Sequence, residues 1–143
     1  MHLINGLYDA HRSGASVIAI ASTIVSEEFG TRYFQETNTL KLFNDCSFYN
    51  ELAITAEQAP RMLQAAMQKA LTRKGVAVIG IPGDLASAAT DKGLSSPCIF
   101  PAPAEICPSP GELQQLASLL NHAVKITLFC GIGAKDAHDE LVE

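Results

Sequence analysis

An α/β fold built on a parallel sheet is what this sequence predicts, and three observations carry the prediction. Short, nearly continuous apolar runs at Val17–Ala21, Val76–Ile81 and Val124–Phe129 read as strands covered on both faces. Between them lie segments whose apolar residues recur at three- and four-residue spacing, the helical period. Strand–helix–strand order of this kind requires a right-handed parallel sheet. The sheet is expected to be partial and Rossmann-like, followed by the first strand–helix of a second α/β domain.

The elements follow in order. Residues 2–13 predict a helix with an apolar stripe of Leu3, Ile4, Leu7 and Ala10, ended by Ser13-Gly14 as a left-handed cap. Ser16–Ser22 is the first strand. Leu40, Leu42 and Phe43 suggest a short helix over about 36–44, and Ser47–Leu52 a second strand with Phe48 and Leu52 on one face. Thr55 and Gln58 stand at capping-box spacing ahead of an amphipathic helix that runs to about Arg73. Its apolar face is Ala59, Met62, Leu63, Ala66, Met67, Ala70 and Leu71, with the methionines as core gap-fillers. Gly75 closes that helix and Val76–Ile81 is a third buried strand. Residues 85–109 read as a linker, because Pro97, Pro101, Pro103 and Pro108 favour extended, semi-rigid chain. Ser109-Pro110-Gly111-Glu112 is a second capping box, opening a helix with Leu113, Leu116, Ala117 and Leu120 on its apolar face. Val124–Phe129 is then a fourth strand, turned into a last helix by Gly131-Ile132-Gly133.

Composition narrows the function. A chain of 143 residues with 48% apolar side chains has the length and the material for a core. Its net charge of −5 and its lack of a Lys/Arg cluster argue against a nucleic-acid face. No apolar run approaches ~18 residues, so no transmembrane segment is expected, and Met1-His2-Leu3-Ile4 lacks the basic lead of a signal peptide. Cys46, Cys98, Cys107 and Cys130 are scattered, as are the histidines, so reduced thiols are expected and no metal site.

The stretch most suggestive of chemistry is Gly30-Thr31-Arg32-Tyr33-Phe34-Gln35-Glu36-Thr37, on the loop that leaves the first strand. Ligands of open α/β sheets sit beyond the carboxyl ends of strands. Phe34 could wall an apolar pocket, Gln35 offers a donor and an acceptor, and Glu36 would suit the start of a helix. Gly131 and Gly133 could let backbone N–H groups approach a phosphate, although Asp136 stands where the dinucleotide fingerprint has its third glycine. Asp84, closing the third strand, is expected to fix its turn through side-chain-to-backbone hydrogen bonds. No paired carboxylates and no Ser-His-Asp or Cys-His arrangement can be argued, so no catalytic residue is assigned.

Four runs together carry a family resemblance. They are His2-Leu3-Ile4-Asn5-Gly6-Leu7-Tyr8-Asp9-Ala10, Tyr33-Phe34-Gln35-Glu36-Thr37, Ile81-Pro82-Gly83-Asp84-Leu85 and Cys130-Gly131-Ile132-Gly133. In that order and close to that spacing, they resemble the thiamine-diphosphate-dependent decarboxylases, and within them pyruvate oxidase and the quinone-linked pyruvate dehydrogenase. The resemblance implies that residues 1–84 are the C-terminal part of the N-terminal, pyrimidine-binding domain, 85–109 the linker, and 110–143 the start of a middle, FAD-associated domain. It implies Phe34 and Gln35 as substrate-pocket residues and Asn5, Gly131 and Gly133 as cofactor contacts.

The same resemblance implies thiamine diphosphate, Mg2+ and FAD in the full-length family. The family's activating glutamate lies on a strand upstream of His2, and its Gly-Asp-Gly…Asn diphosphate and magnesium motif lies in a C-terminal domain. The chain therefore reads as a fragment, inactive alone and binding none of these cofactors tightly. It is expected to self-associate or to join longer subunits, and to be cytoplasmic, in a family that can associate peripherally with membranes. A non-enzymatic docking fragment and part of an acetolactate synthase-like enzyme are the alternative readings.

Overall fold

The computed structural model describes residues 2–89 and 106–142. The chain divides into two compact units, Met1–Pro103 and Ala104–Glu143.

The first unit is an α/β sandwich around a three-stranded parallel sheet in the order β1-β3-β2, with β1 Val17–Thr23, β2 Tyr49–Leu52 and β3 Val76–Pro82. β3 runs between the other two, from Val17↔Val76 to Thr23↔Pro82 on one side and from Tyr49↔Ala77 to Leu52↔Gly80 on the other. Its place explains its composition. Both faces of β3 are covered, and Val76, Ala77, Val78 and Ile79 are at most 2% exposed, so alternation of polar and apolar residues is lost.

The pleat sends alternate residues to two cores. Ala77 and Ile79 pack with Ala66 and Ala70 of helix α3, Ala59–Arg73, where Ile18, Tyr49, Met62 and Ile81 close the edges. Val76 and Val78 pack with Ala19, Ala21, Phe43, Cys46 and Leu7, the last from helix α1, Leu3–Arg12. Alanines at the contact let α3 lie close to the sheet. The apolar stripe of α3 is accordingly narrower than its sequence suggests, with Leu63 and Leu71 left 37% and 53% exposed.

The ends of the elements depart from expectation in instructive ways. α1 stops as foreseen, with Gly14 at φ 67° and Ala15 N–H donating to Ala10 O at 2.9 Å. α3 does not end through Gly75. Lys74 takes the left-handed conformation at φ 51°, and Gly75 is needed for space, since a Cβ there would lie 2.5 Å from the Phe48 ring. The box expected at Thr55 does not close either. Thr55 makes no capping bond, a 3₁₀ turn Ala56–Gln58 intervenes, and Gln58 Oε1 accepts from Ile54 N–H at 3.2 Å. Helix α2 spans only Thr39–Leu42, because Asn38 takes the N-cap and its Oδ1 accepts from Lys41 N–H at 2.9 Å.

A short helix α4, Gly83–Ala86, follows β3 directly. Of the linker expected over 85–109, residues 90–105 lie outside the described residues, Pro97, Pro101 and Pro103 among them.

The second unit holds helix α5, Pro110–His122, and the short helix α6, His138–Val142. The capping box of α5 forms in full. Ser109 Oγ accepts from Glu112 N–H at 3.3 Å while Glu112 Oε2 accepts from Ser109 N–H at 2.8 Å and from its hydroxyl at 2.7 Å. These bonds hold the Glu112 carboxyl below its ordinary range. The strand expected at Val124–Phe129 does not form: it has no partner among the described residues, and Val124 and Phe129 are fully exposed. An apolar run becomes a strand only where a neighbouring strand takes its N–H and C=O groups. Among the described residues, no helix is long and apolar enough to cross a membrane.

Candidate functional site

The candidate site forms where β1 ends. Its last residues, Ser22 and Thr23, reach the rim of a cleft of about 460 Å³, a volume suited to a small ligand. Ile20, Leu42, Phe43 and Leu3 give the cleft an apolar wall, and Ser22, Thr23, Thr37, Thr39 and the Gln35 carboxamide give it polar groups. A second cleft of about 260 Å³ adjoins it and shares Thr23, Thr37 and Thr39. Thr39 is 7% exposed. It lies deep because β3 has glycine opposite it: a Cβ on Gly80 would come within 3.0 Å of Thr39 Oγ1 and 2.8 Å of Leu52 Cδ1. Asn50 on β2 adds a fastening, its Nδ2 donating to Thr39 O at 3.2 Å and Leu40 O at 2.8 Å.

The loop carrying Gln35 is tied down at two places. After β1, the 3₁₀ turn Ser26–Glu28 is held by Asp84, whose Oδ1 accepts from Ser26 N–H at 2.8 Å and whose Oδ2 accepts from the Ser26 hydroxyl at 2.6 Å. Those two bonds draw the Asp84 carboxyl below its usual range. Asp84 thus fastens a turn, as its position after β3 predicts, but the turn belongs to the loop beyond β1.

Glu36 is the second tie, and it is not at a helix start. Its Oε1 accepts from Gly30 N–H at 2.8 Å and its Oε2 from Arg32 N–H at 2.9 Å. Between these anchors the backbone enters the left-handed region three times, at Gly30 (φ 81°), Arg32 (φ 62°) and Gln35 (φ 65°). For residues with a Cβ that conformation costs about 1–2 kcal/mol each, and such strain gathers where a loop is shaped for a purpose. Glu36 N–H donates to Tyr33 O at 2.9 Å, which makes Gln35 the third residue of a tight turn, a place where a positive φ is characteristic of type II geometry.

The residues singled out from the sequence separate. Gln35 lines the cleft. Phe34 lies outside it, 81% exposed. Asn5 is exposed on α1, two residues beyond the cleft-lining Leu3. Gly131 and Gly133 belong to the second unit, at a 3₁₀ turn of three residues, Ile132–Ala134. No paired strand precedes that turn, and nothing lies within 4 Å of a Cβ on either glycine. That geometry does not fit a phosphate cradle, which needs a strand feeding the N-terminus of a longer helix. Ser22, Thr23, Thr37 and Thr39 were missed. Their signal was present, since all four flank the ends of β1 and of the Phe-Gln-Glu run. Cys46, Cys107 and Cys130 are free thiols, and burial pushes the Cys46 thiol up. Among the described residues no group of three His, Cys, Asp or Glu side chains could hold a metal.

Fold and cleft together define the class: an α/β unit that opens a ligand-sized cleft at the carboxyl end of an outer parallel strand. No protein-family model matches the chain. It is 44% identical over its whole length to an uncharacterised 42.6 kDa protein from the isoamylase 3′ region of Pseudomonas amyloderamosa. It is 37% identical, again over its whole length, to YdaP of Bacillus subtilis, which carries the name of a thiamine pyrophosphate-containing protein. Over 98% of its length it is 30% identical to a pyruvate oxidase of Lactiplantibacillus plantarum. The chain spans 36%, 25% and 24% of the lengths of these three relatives.

Proposed function

We propose that this chain supplies part of the substrate wall of a thiamine-diphosphate-dependent enzyme of the pyruvate oxidase type. Such an enzyme decarboxylates pyruvate oxidatively and passes the electrons through FAD to a quinone or to oxygen. The observation that carries the reading is similarity running along 98% of the chain to a pyruvate oxidase. The position of the cleft supports it, since the Gln35 loop stands beyond the carboxyl end of a parallel strand.

In this reading Gln35 offers its amide N–H to the carboxylate or carbonyl oxygen of pyruvate, while its own oxygen remains an acceptor. Ile20, Leu42 and Phe43 exclude water from one side, which strengthens that polar contact. Phe34, exposed on the same turn as Gln35, is the apolar wall offered to the substrate from outside the cleft. Bound thiamine diphosphate supplies the carbanion chemistry that loss of a carboxyl group beside a ketone requires. The cleft has the size and mix of groups for a small substrate beside such a cofactor, and Asn5, exposed on α1 and not among the cleft-lining residues, is the candidate cofactor-side contact that the resemblance implies. Gly131 and Gly133 do not fit the flavin phosphate cradle the resemblance implies, and no residue of this chain is assigned to Mg2+.

A polypeptide of the relatives' length carrying this chain, loaded with thiamine diphosphate, Mg2+ and FAD, provides the test. Anaerobic mixing with pyruvate is expected to bleach the flavin as CO2 is released. Acetolactate formed without flavin reduction would assign the acetolactate synthase chemistry instead. No reaction with pyruvate would leave the chain a docking module.

A further inference from the structure

We infer that Glu36 is a positioning residue, whose carboxylate sets the conformation that brings Gln35 to the cleft. Three features converge on this. The carboxylate spans the loop, one oxygen on Gly30 N–H at 2.8 Å and the other on Arg32 N–H at 2.9 Å. Its own N–H is held by Tyr33 O at 2.9 Å, so Glu36 closes the loop from both its main chain and its side chain. The residues so enclosed include Arg32 and Gln35, both with a Cβ and both in the left-handed region.

An exposed loop has no reason to keep two such residues there unless something outweighs their strain, and charge-assisted hydrogen bonds are strong enough to do so. The ties that remain are the Glu36 N–H bond to Tyr33 O, which closes the turn but does not reach Gly30 or Arg32, and the weaker Thr37 hydroxyl bond to Gln35 O at 3.3 Å. Without the carboxylate the backbone relaxes toward negative φ and the Gln35 carboxamide leaves the cleft rim. A contact that must stand ready before substrate arrives loses much of its worth when its geometry is loosened. The effect on pyruvate rests on the function proposed above; the clamp on the loop does not.

The clamp is read by amide hydrogen exchange on the 143-residue chain. In Glu36→Ala the Gly30 and Arg32 amides are expected to exchange at least about tenfold faster, since each loses a bond to a charged acceptor. Cleavage by trypsin after Arg32 accelerates in parallel. Glu36→Gln keeps one acceptor oxygen and restores one amide of the two, whereas Glu36→Asp is a methylene short and restores neither. Amides of β1 and β3 and the melting temperature stay as they were. Unchanged exchange at Gly30 and Arg32, or faster exchange spread through the sheet, overturns the clamp.

The route through Gln35 is read in the cofactor-loaded, full-length polypeptide. Glu36→Ala is expected to lower kcat/KM for pyruvate about tenfold, and to add nothing when Gln35 is already alanine, because coupled residues fail to add. Full additivity would show that Glu36 acts on substrate by another path. If pyruvate is not the substrate, the exchange measurements still decide the clamp.

Discussion

At the scale of single residues, the loop after β1 depends on two carboxylates that take no part in the core. Asp84 is held below its usual range by the Ser26 hydroxyl and N–H. A depressed carboxyl contributes stability that is present above its unfolded-state pKa and is lost as pH falls through its folded one. The Ser26–Asp84 tie is therefore expected to be whole at neutral pH and to open only in acid, below the ordinary aspartate range. An NMR titration following the Asp84 carboxyl carbon and the Ser26 amide together checks this; the amide moving at higher pH than the carboxyl would contradict it. The role of Asp84 as a turn-fixing side chain was legible, because an aspartate just after a buried strand has few other uses. Its partner was not, since Ser26 is distant in sequence and meets Asp84 only because β1 and β3 are neighbours. Glu36 was read from the sequence as suited to a helix start, and its role as a loop anchor was not legible, because Asn38 takes the N-cap and leaves Glu36 in the loop.

At the scale of elements, β3 organises the first unit. Ile79 is 2% exposed and packs beneath Ala66 and Ala70, whose short side chains cannot swing in to fill a void. Ile79→Ala is therefore expected to cost about 2–5 kcal/mol, a large part of the ~5–15 kcal/mol that typically holds a domain together. A urea melt would show it as a lowered midpoint with an unchanged slope; a shift worth less than about 1 kcal/mol would mean the site collapses more freely than its neighbours allow. Strand and helix types were readable for this unit because strands covered on both faces are short continuous apolar runs, while the long helix between β2 and β3 keeps a three- and four-residue apolar spacing. The order β1-β3-β2 was not, since no local signal states which strand lies in the middle. Val124–Phe129 failed for a related reason: its apolar run met the pattern of a strand, but strand formation belongs to a pair of segments and not to one. The α5 capping box was readable to the atom because all of its groups lie within four residues.

At the scale of the whole molecule, the described residues leave much apolar surface and backbone open. β1 and β2 each have one hydrogen-bonded neighbour, and Ile20, Leu3 and Ile54 are 58%, 52% and 75% exposed. In the second unit Leu113, Leu116, Leu119 and Leu120 of α5 are 40–71% exposed. Open edges and apolar patches of this kind favour pairing with another chain, so the 143-residue chain is expected to self-associate at micromolar concentration. Sedimentation checks this, and a monodisperse monomer with one cooperative melt would contradict it. The central claim remains that the cleft beyond β1 faces a substrate and that Gln35 meets it there. An exposed side chain that contacts only the reacting species should affect the transition state and leave the fold alone. The decisive measurement is Gln35→Ala in the full-length, cofactor-loaded polypeptide, with kcat/KM for pyruvate set beside the melting temperature. The account predicts a loss on the order of tenfold or more in kcat/KM with the melting temperature unmoved. Activity retained in full, or activity and melting temperature falling together, would show that Gln35 serves the fold of its loop and not the chemistry.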